Sequence, residues 1–278
     1  MKRGGARAAV IMEESKTDGD IPAEMRREQM LAFVKSRDFV RVSDLSVKFG
    51  VSEVTVRGDL DTLAERGQLR RIRGGAMPRP MPQSERSFEE MQAARVDEKA
   101  RIGELAASLV SSGETVILDV GTTTTAVAHA LVRRTELYDV VVFTNSLNIA
   151  IELESAIPRF TVVVTGGTLR PMQHSLVDPL GGLMLERINA RTVFLGCNGI
   201  DPNGGITNIN LPEAEIKRRM LQAARQRVIV ADGSKVGRVE LAYLCGVDEV
   251  DLLITDSSAD PAVLNALRER ELQVMLAK

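Results

Sequence analysis

Apolar residues recur with two different periods along this chain, and the change falls near residue 80. After Pro22, a residue suited to a first helical turn, Met30, Leu31 and Val34 recur at helical spacing and predict a helix that breaks near Asp38. Val42, Leu45 and Phe49 predict a second, short helix, capped by Ser43 and ended by a left-handed Gly50. Only Val51 separates it from Ser52, the predicted cap of a third helix. That helix runs to about Arg66, buries Val56, Leu60, Leu63 and Ala64, and stops at Gly67. Two short helices around a tight glycine turn make a helix-turn-helix pattern. From Gln68 to Gly75 the chain reads as two short strands with a glycine turn, and no acid falls between Arg66 and Arg73. This suits a basic wing.

Met77-Pro78-Arg79-Pro80-Met81-Pro82 is stiff, short of backbone donors and the best linker candidate. A helix-like stretch to Val110 follows, with Ile102, Leu105, Ala106 and Leu109 on one face. Beyond it, apolar runs alternate with helical stretches: Thr115 to Leu118, Val140 to Phe143, Phe160 to Val164, Thr192 to Leu195, Val228 to Ala231 and Leu252 to Thr255. Runs without polar alternation predict strands buried on both faces. The expected fold is therefore α/β: an N-terminal winged helix-turn-helix domain, then a mostly parallel α/β domain. The expected bounds are a mobile tail over residues 1–20, the winged helix-turn-helix domain over 21–76, a linker over 77–95 and the α/β domain over 96–278.

Composition narrows the class. With 278 residues, 44% hydrophobic and 27% charged, the chain has the balance of a two-domain globular protein. No apolar run approaches the roughly 20 residues of a membrane span. The apolar piece Ala8 to Met12 is too short for a signal-peptide core and meets Glu13 and Glu14 directly, so a cytoplasmic protein is expected. Cys197 and Cys245 make no disulfide framework, and His129 and His174 lie too far apart for a zinc motif. No metal or cofactor is expected. The formal charge of −2 hides an asymmetry: residues 21–80 hold twelve basic against eight acidic residues, and residues 81–278 hold twenty against twenty-six.

A basic first segment with a helix-turn-helix pattern fits double-stranded DNA. Ser52, Thr55 and Arg57 stand at the N-terminal end of the predicted recognition helix, where side chains reach base edges and phosphates. Arg70, Arg71 and Arg73 in the wing would release further counterions from DNA. The competing reading is an ordinary solvated basic face, which leaves the ordered combination of caps, turn and wing without a reason.

In the second segment, the first strand ends in Asp119-Val120-Gly121-Thr122-Thr123-Thr124 and leads into a helix carrying Ala126, Val127 and Leu131. Ligands of open α/β sheets sit beyond the carboxyl ends of strands, and amides at a helix start favour phosphate. A simple capped turn is the alternative for this motif alone. Thr144-Asn145-Ser146, Gly166-Gly167-Thr168-Leu169-Arg170, Cys197-Asn198-Gly199 and Asp232-Gly233-Ser234-Lys235 also follow predicted strands. Arg170 and Lys235 can neutralise a phosphate, and Asp119, Asn145 and Asp232 can bond sugar hydroxyls. Glu213 and Lys217, four apart on a helix, read either as site residues or as a surface ion pair. Cys197 has no activating base in sight and reads as a small buried residue.

Arg27 to Leu31, Val51 to Leu60, Leu63, and Arg73 to Ala76 resemble the winged helix-turn-helix of the DeoR family of bacterial transcriptional regulators. Gly58 departs from that pattern, which commonly has a second basic residue there. Asp119 to Thr123, Gly166, Gly167, Arg170, Glu213, Lys217, Asp232, Ser234 and Lys235 resemble the family's effector domain, itself similar to ribose-5-phosphate isomerase. The resemblance spans residues 25 to 256 and assigns Lys217 to the effector site. It implies a homo-oligomeric repressor of a sugar or polyol catabolic operon, bound to operator DNA and released by a phosphorylated sugar or related catabolite. A second departure is Asp178, where relatives often carry glycine; a carboxylate facing the pocket would repel phosphate. The rival expectation is a sugar-phosphate isomerase-like enzyme with a DNA-binding module, using Asp119 or Glu213 as base. A third is an architectural DNA binder without a ligand.

Overall fold

In the computed structural model, residues 22–35, 37, 39–66, 68–78 and 85–278 are described. The expected tail, the break near Asp38, the stop at Gly67 and the strip from 79 to 82 lie outside them. The chain divides into two units, Met1–Ser84 and Glu85–Lys278.

The first unit contains α1 (Ala23–Lys35), β1 (Val40–Arg41), α2 (Val42–Phe49), α3 (Glu53–Glu65), β2 (Leu69–Ile72) and β3 (Gly75–Pro78). Its strands form an antiparallel sheet in the order β1-β3-β2 behind the helix-turn-helix, a winged arrangement. Met30, Val34, Leu45, Val56, Leu60, Leu63 and Leu69 make the core. Gly50 adopts φ +63 and its N–H bonds the Ser46 carbonyl, which ends α2 within one residue. Ser43 is not the cap of α2. Strand β1 passes directly into the helix, Val42 donates to the Gly74 carbonyl at 3.0 Å, and Arg41 takes the cap position. The expected linker also begins too early, because Met77 and Pro78 pair with Arg70 and Leu69. Proline is tolerated there because the two-residue β1 pairs only with Gly75 and Ala76, so no ladder bond is lost on that side.

An ion-pair clamp fastens the first helix to the third. The Nε atoms of Arg26 and Arg27 donate to separate oxygens of the buried Asp59 carboxylate, at 2.7 and 2.9 Å.

The second unit runs α4 (Phe88–Gln92), α5 (Val96–Ala107), β4 (Thr115–Leu118), α6 (Thr122–Arg133), β5 (Val140–Thr144), α7 (Leu147–Leu153), β6 (Phe160–Val164), β7 (Thr168–Arg170), β8 (Ser175–Val177), α8 (Leu180–Leu185) and β9 (Ala190–Leu195). It continues with β10 (Gly199–Asp201), β11 (Gly205–Asn208), α9 (Leu211–Gln222), β12 (Ala224–Val230), β13 (Ala242–Cys245), β14 (Leu252–Asp256), α10 (Pro261–Glu269) and β15 (Gln273–Ala277). Seven strands form a parallel sheet in the order β15-β14-β12-β9-β4-β5-β6. Alternate residues serve opposite faces. Ile117, Val193, Ile229 and Leu253 pack against α9 and α10. Val116, Leu118, Val228 and Ile254 pack with Ile102, Val127, Leu131 and Ile149 of α5, α6 and α7. Both faces are covered, which is why the strands read as unbroken apolar runs. Two small sheets, β7-β8 and β10-β11-β13, stand apart from the main one.

Residues 85–95, expected to continue the linker, are folded onto this unit. Ser87 accepts from Glu90 N at 3.2 Å to start α4, and Phe88 is buried.

Replacing Asp59 with Ala removes two charge-assisted hydrogen bonds and is expected to lower the stability of the N-terminal unit by about 1–3 kcal/mol. Chemical denaturation of the full chain checks this; an unchanged transition for that unit would show the clamp to be idle.

Candidate functional site

The exposed end of α3 begins at Ser52, whose Oγ accepts from Thr55 N at 3.1 Å and lies 2.9 Å from the Thr55 hydroxyl. Ser52 is therefore committed to capping, and Thr55 beside it is exposed. Arg57 is also exposed and rests on Glu53, one turn back, at 2.7 Å. Such an exposed pair is weak, so the guanidinium can be transferred to a phosphate at little cost. Arg57 and Asp61 share a face of α3, and Asp61 accepts from Arg71 Nε at 2.7 Å. The wing is thereby tied to the same surface. Arg71 also donates to the Gly75 carbonyl at 2.8 Å, so it braces the wing rather than standing free. Arg70 and Arg73 are exposed and have no ion pair among the described residues.

Val54 was not singled out from the sequence, yet it is 75% exposed beside Thr55. Its position off the Val56, Leu60 and Leu63 stripe is the signal that identifies it. An apolar side chain there suits a thymine methyl group. A Cβ at Gly58 would meet nothing within 4 Å, so the missing basic side chain leaves open surface, not a filled contact.

In the second unit, β5 and β6 succeed β4 on one side, whereas β9, β12, β14 and β15 extend on the other. The strand order reverses between β4 and β9, and such a reversal opens a crevice at the carboxyl ends. Asp119 follows β4 and Gly196 follows β9, and Gly196 N donates to Asp119 Oδ2 at 3.1 Å across that point. Asp119 is fully buried. Lys217 of α9, 3% exposed, reaches the same Asp119 oxygen and also donates to the Gly196 carbonyl at 3.0 Å. Among the described residues Asp119 Oδ1 has no hydrogen-bond partner, a rare condition for a buried carboxylate oxygen. Burial raises the Asp119 pKa to about 6 against the pull of Lys217.

Beside this pair α6 begins. Gly121 is its cap, and the Thr124 and Thr125 hydroxyls both return to the Gly121 carbonyl at 2.8 Å. The first amides, at Thr122 and Thr123, have no partner within the helix and can meet an anion. The Cys197 thiol is pushed up to about 12 by burial, with Lys217 and Lys235 both near enough to oppose the shift. This fits an inert side chain. Lys235 lies close in the fold, because the next residue, Val236, bridges to Ile200, three positions beyond Cys197. Lys235 is half-buried and has no ion pair among the described residues.

Other residues read as ligand groups are occupied by the protein. Asn145 Oδ1 accepts from Val120 N at 2.8 Å and its Nδ2 donates to the Leu176 carbonyl at 3.2 Å. Asp232 accepts from Ser234 N at 3.0 Å and faces Arg95 at 3.5 Å. Arg170 lies between Glu213 and Glu85. Asn145, Asp232 Oδ1 and Arg170 are thus engaged within the protein. Gly166 and Gly167 form the turn into β7; Gly167 has φ +124, and a Cβ there would come within 2.1 Å of the Val177 carbonyl.

Glu213 and Lys217 do not form the surface pair considered from their spacing. Both are buried, and they point to different partners, Arg170 and Asp119. Asp178 is answered too: its carboxylate accepts from Gly182 N at 3.1 Å and faces Arg219 at 3.5 Å. Lys99 was missed by the sequence reading. It is buried against the Met91 and Ala94 carbonyls, and burial pushes its pKa down to about 8.

A winged helix-turn-helix joined to an α/β unit with buried polar residues gathered at its strand tips defines a DNA-binding transcriptional regulator. Two family models match: the DeoR-like helix-turn-helix domain over residues 26–78 and the DeoR C terminal sensor domain over residues 94–257. The chain belongs to the DeoR family. It is 36% identical over 249 residues to the uncharacterized HTH-type transcriptional regulator YulB of Bacillus subtilis (strain 168), spanning 90% of this chain and 95% of that protein. It is 35% identical over 240 residues to the HTH-type transcriptional regulator GlpR of Haloferax volcanii, spanning 86% and 92%. It is 30% identical over 251 residues to the glycerol-3-phosphate regulon repressor of Escherichia coli (strain K12), spanning 90% and 98%. These relatives are regulators, and the isomerase alternative is not favoured. No helix among the described residues is long and apolar enough to cross a membrane.

Because the folded pKa of Asp119 is raised from 3.8 to about 6, the folded unit holds a proton that the unfolded chain releases between those values. Its contribution to stability is complete below the lower value and lost as pH rises through the upper one. Relative to Asp119→Asn, the wild type is expected to lose stability from about pH 4 to about pH 6. Denaturant titrations across that interval test this; parallel curves would contradict it.

Proposed function

We propose that this chain is an operator-binding repressor of a sugar or polyol catabolic operon, released in the cytoplasm by a phosphorylated intermediate of that pathway. The observation that carries the reading is the buried Asp119–Lys217 pair at the strand reversal, with Asp119 Oδ1 unpartnered beside the start of α6. An open carboxylate oxygen suits a sugar hydroxyl. The helix-start amides with Lys235 nearby are one place that suits a phosphate, and Arg170 at the hairpin is a second. The name of the Escherichia coli relative supports a three-carbon phosphate among the ligands to test.

On the DNA side, α3 enters the major groove and the wing contacts the backbone, with Val54 and Thr55 at base edges and Arg57, Arg70 and Arg73 at phosphates. Two copies bound to two half-sites would give the operator its symmetry, so a homo-oligomer is part of the proposal. To move the population from 1:99 to 99:1 released, the effector must favour the released state by about 5.5 kcal/mol.

Operator binding is measured with glycerol 3-phosphate and pentose and hexose phosphates as competitors. Release by one of them and none by its dephosphorylated form is the expected result; indifference to the whole set overturns the sugar-phosphate reading. Replacing Arg70 and Arg73 together with Ala is expected to reduce the salt slope of operator affinity by about 2 for each copy bound, while leaving helix content intact. An unchanged slope would remove the wing from the interface. Lys235→Ala is expected to leave effector-free operator affinity unaltered and to raise the half-releasing concentration about tenfold. A normal response would take Lys235 out of the site.

A further inference from the structure

The β7-β8 hairpin is held at two ends. On one side it is stitched to the strand tips: Leu176 N donates to the Asn145 carbonyl at 2.8 Å, and Ser175 Oγ donates to Glu213 Oε1 at 2.9 Å. On the other side it grips the first residues of the second unit. Arg170 Nη2 donates to Glu85 Oε2 at 2.5 Å, Gln173 Nε2 to the Arg86 carbonyl at 2.6 Å, and Phe88 N to the Met172 carbonyl at 2.9 Å. His174 meets Glu89 at 2.7 Å, and its ring packs edge-on against Phe88 at 5.8 Å.

Arg170 is shared between these two sets of contacts. Its other nitrogen reaches Glu213, and one turn further along α9 Lys217 reaches Asp119. Asp119, Lys217, Glu213, Arg170 and Glu85 therefore alternate in sign, with Lys217 and Glu213 linked through one turn of α9 and not by direct contact. Glu85 is also the point at which the chain arrives from the DNA-binding unit. The Arg170 and Glu85 side chains are each 16% exposed, desolvated enough for a firm pair and open enough for another anion to reach. A guanidinium has donors for two anions at once, so a phosphate can replace one carboxylate while Glu213 keeps the other.

Resting on the sugar-phosphate reading above, we propose that Glu85 is an internal anion that holds Arg170 in the operator-binding state. The effector's phosphate takes its place and frees the segment leading to the DNA-binding unit. Glu85 is a positioning residue here: it acts through Arg170 and the chain connection, without touching DNA or sugar. Once displaced, its carboxylate returns to water.

The test compares full-length wild type with Glu85→Gln, and with Glu90→Gln as an exposed control on the same segment. Hydrogen exchange at the Phe88 amide and effector-free operator affinity need no ligand. For Glu85→Gln, exchange at Phe88 is expected to speed at least tenfold and operator affinity to fall about fivefold, with the control unchanged. Wild-type values for both overturn the latch, whatever any sugar phosphate does. The competitors named above are then titrated against both proteins on operator DNA. Half-release of Glu85→Gln at a concentration about fivefold lower supports the exchange of anions at Arg170, and an equal concentration overturns it. If no competitor releases either protein, the sugar-phosphate reading and the exchange fail together, and the ligand-free measurements alone judge the latch.

Discussion

Charges buried at the strand tips must find partners within the fold, and that requirement organises the sensor unit. A carboxylate as deeply buried as Asp119 is costly without a counter-charge, and Lys217 provides it. Glu213, equally enclosed, takes Arg170 and the Ser175 hydroxyl. To deliver these partners, α9 must lie against the reversal point and the β7-β8 hairpin must fold over the tips. The hairpin and the segment from Glu85 are thus placed by ion pairs that meet at Arg170, and α9 carries both Glu213 of that group and Lys217 of the Asp119 pair. The apolar layers on either face of the sheet supply the burial that makes those contacts strong.

Such a construction suits a regulator. A site whose charges are already matched in the absence of ligand can exchange one internal anion for an external one with little change in net charge. The geometry around the exchanged group then changes, and that change is what a sensor must transmit. By contrast, the first unit presents its charge at the surface: Arg70 and Arg73 stand free of ion pairs among the described residues, and Arg57 holds only an exposed one. Its interior is fastened separately by Asp59 between Arg26 and Arg27. The two units therefore place charge in opposite ways, at the surface of one and in the interior of the other.

Elements governed by neighbours a few residues apart were legible along the chain. The Ser52 cap, the Gly50 turn and the buried stripe of α3 depend on contacts within one or two turns. The interior strands β4, β5, β9, β12 and β14 were legible because both of their faces are covered, and the edge strand β6 because its run from Phe160 to Val164 is apolar apart from Thr161. Ser43 misled because a serine ahead of an apolar stripe is a cap only if the helix has not yet begun, and β1 starts it one residue earlier. Strand β15, at the sheet's edge and mostly exposed, lacks the continuous burial that marked the others.

Sequence alone determined the class of each unit, the residues at the strand tips and the basic wing, since period, capping and charge are local properties. Tertiary structure decided which of those polar groups remain open. Arg170 and Glu85 are 85 positions apart, and Lys217 and Asp119 are 98. Nothing in their local surroundings distinguishes a cation waiting for a ligand from one already matched. Only the folding of α9, the hairpin and the first residues of the second unit onto one end of the sheet leaves an oxygen of Asp119 unpartnered while Arg170 is satisfied.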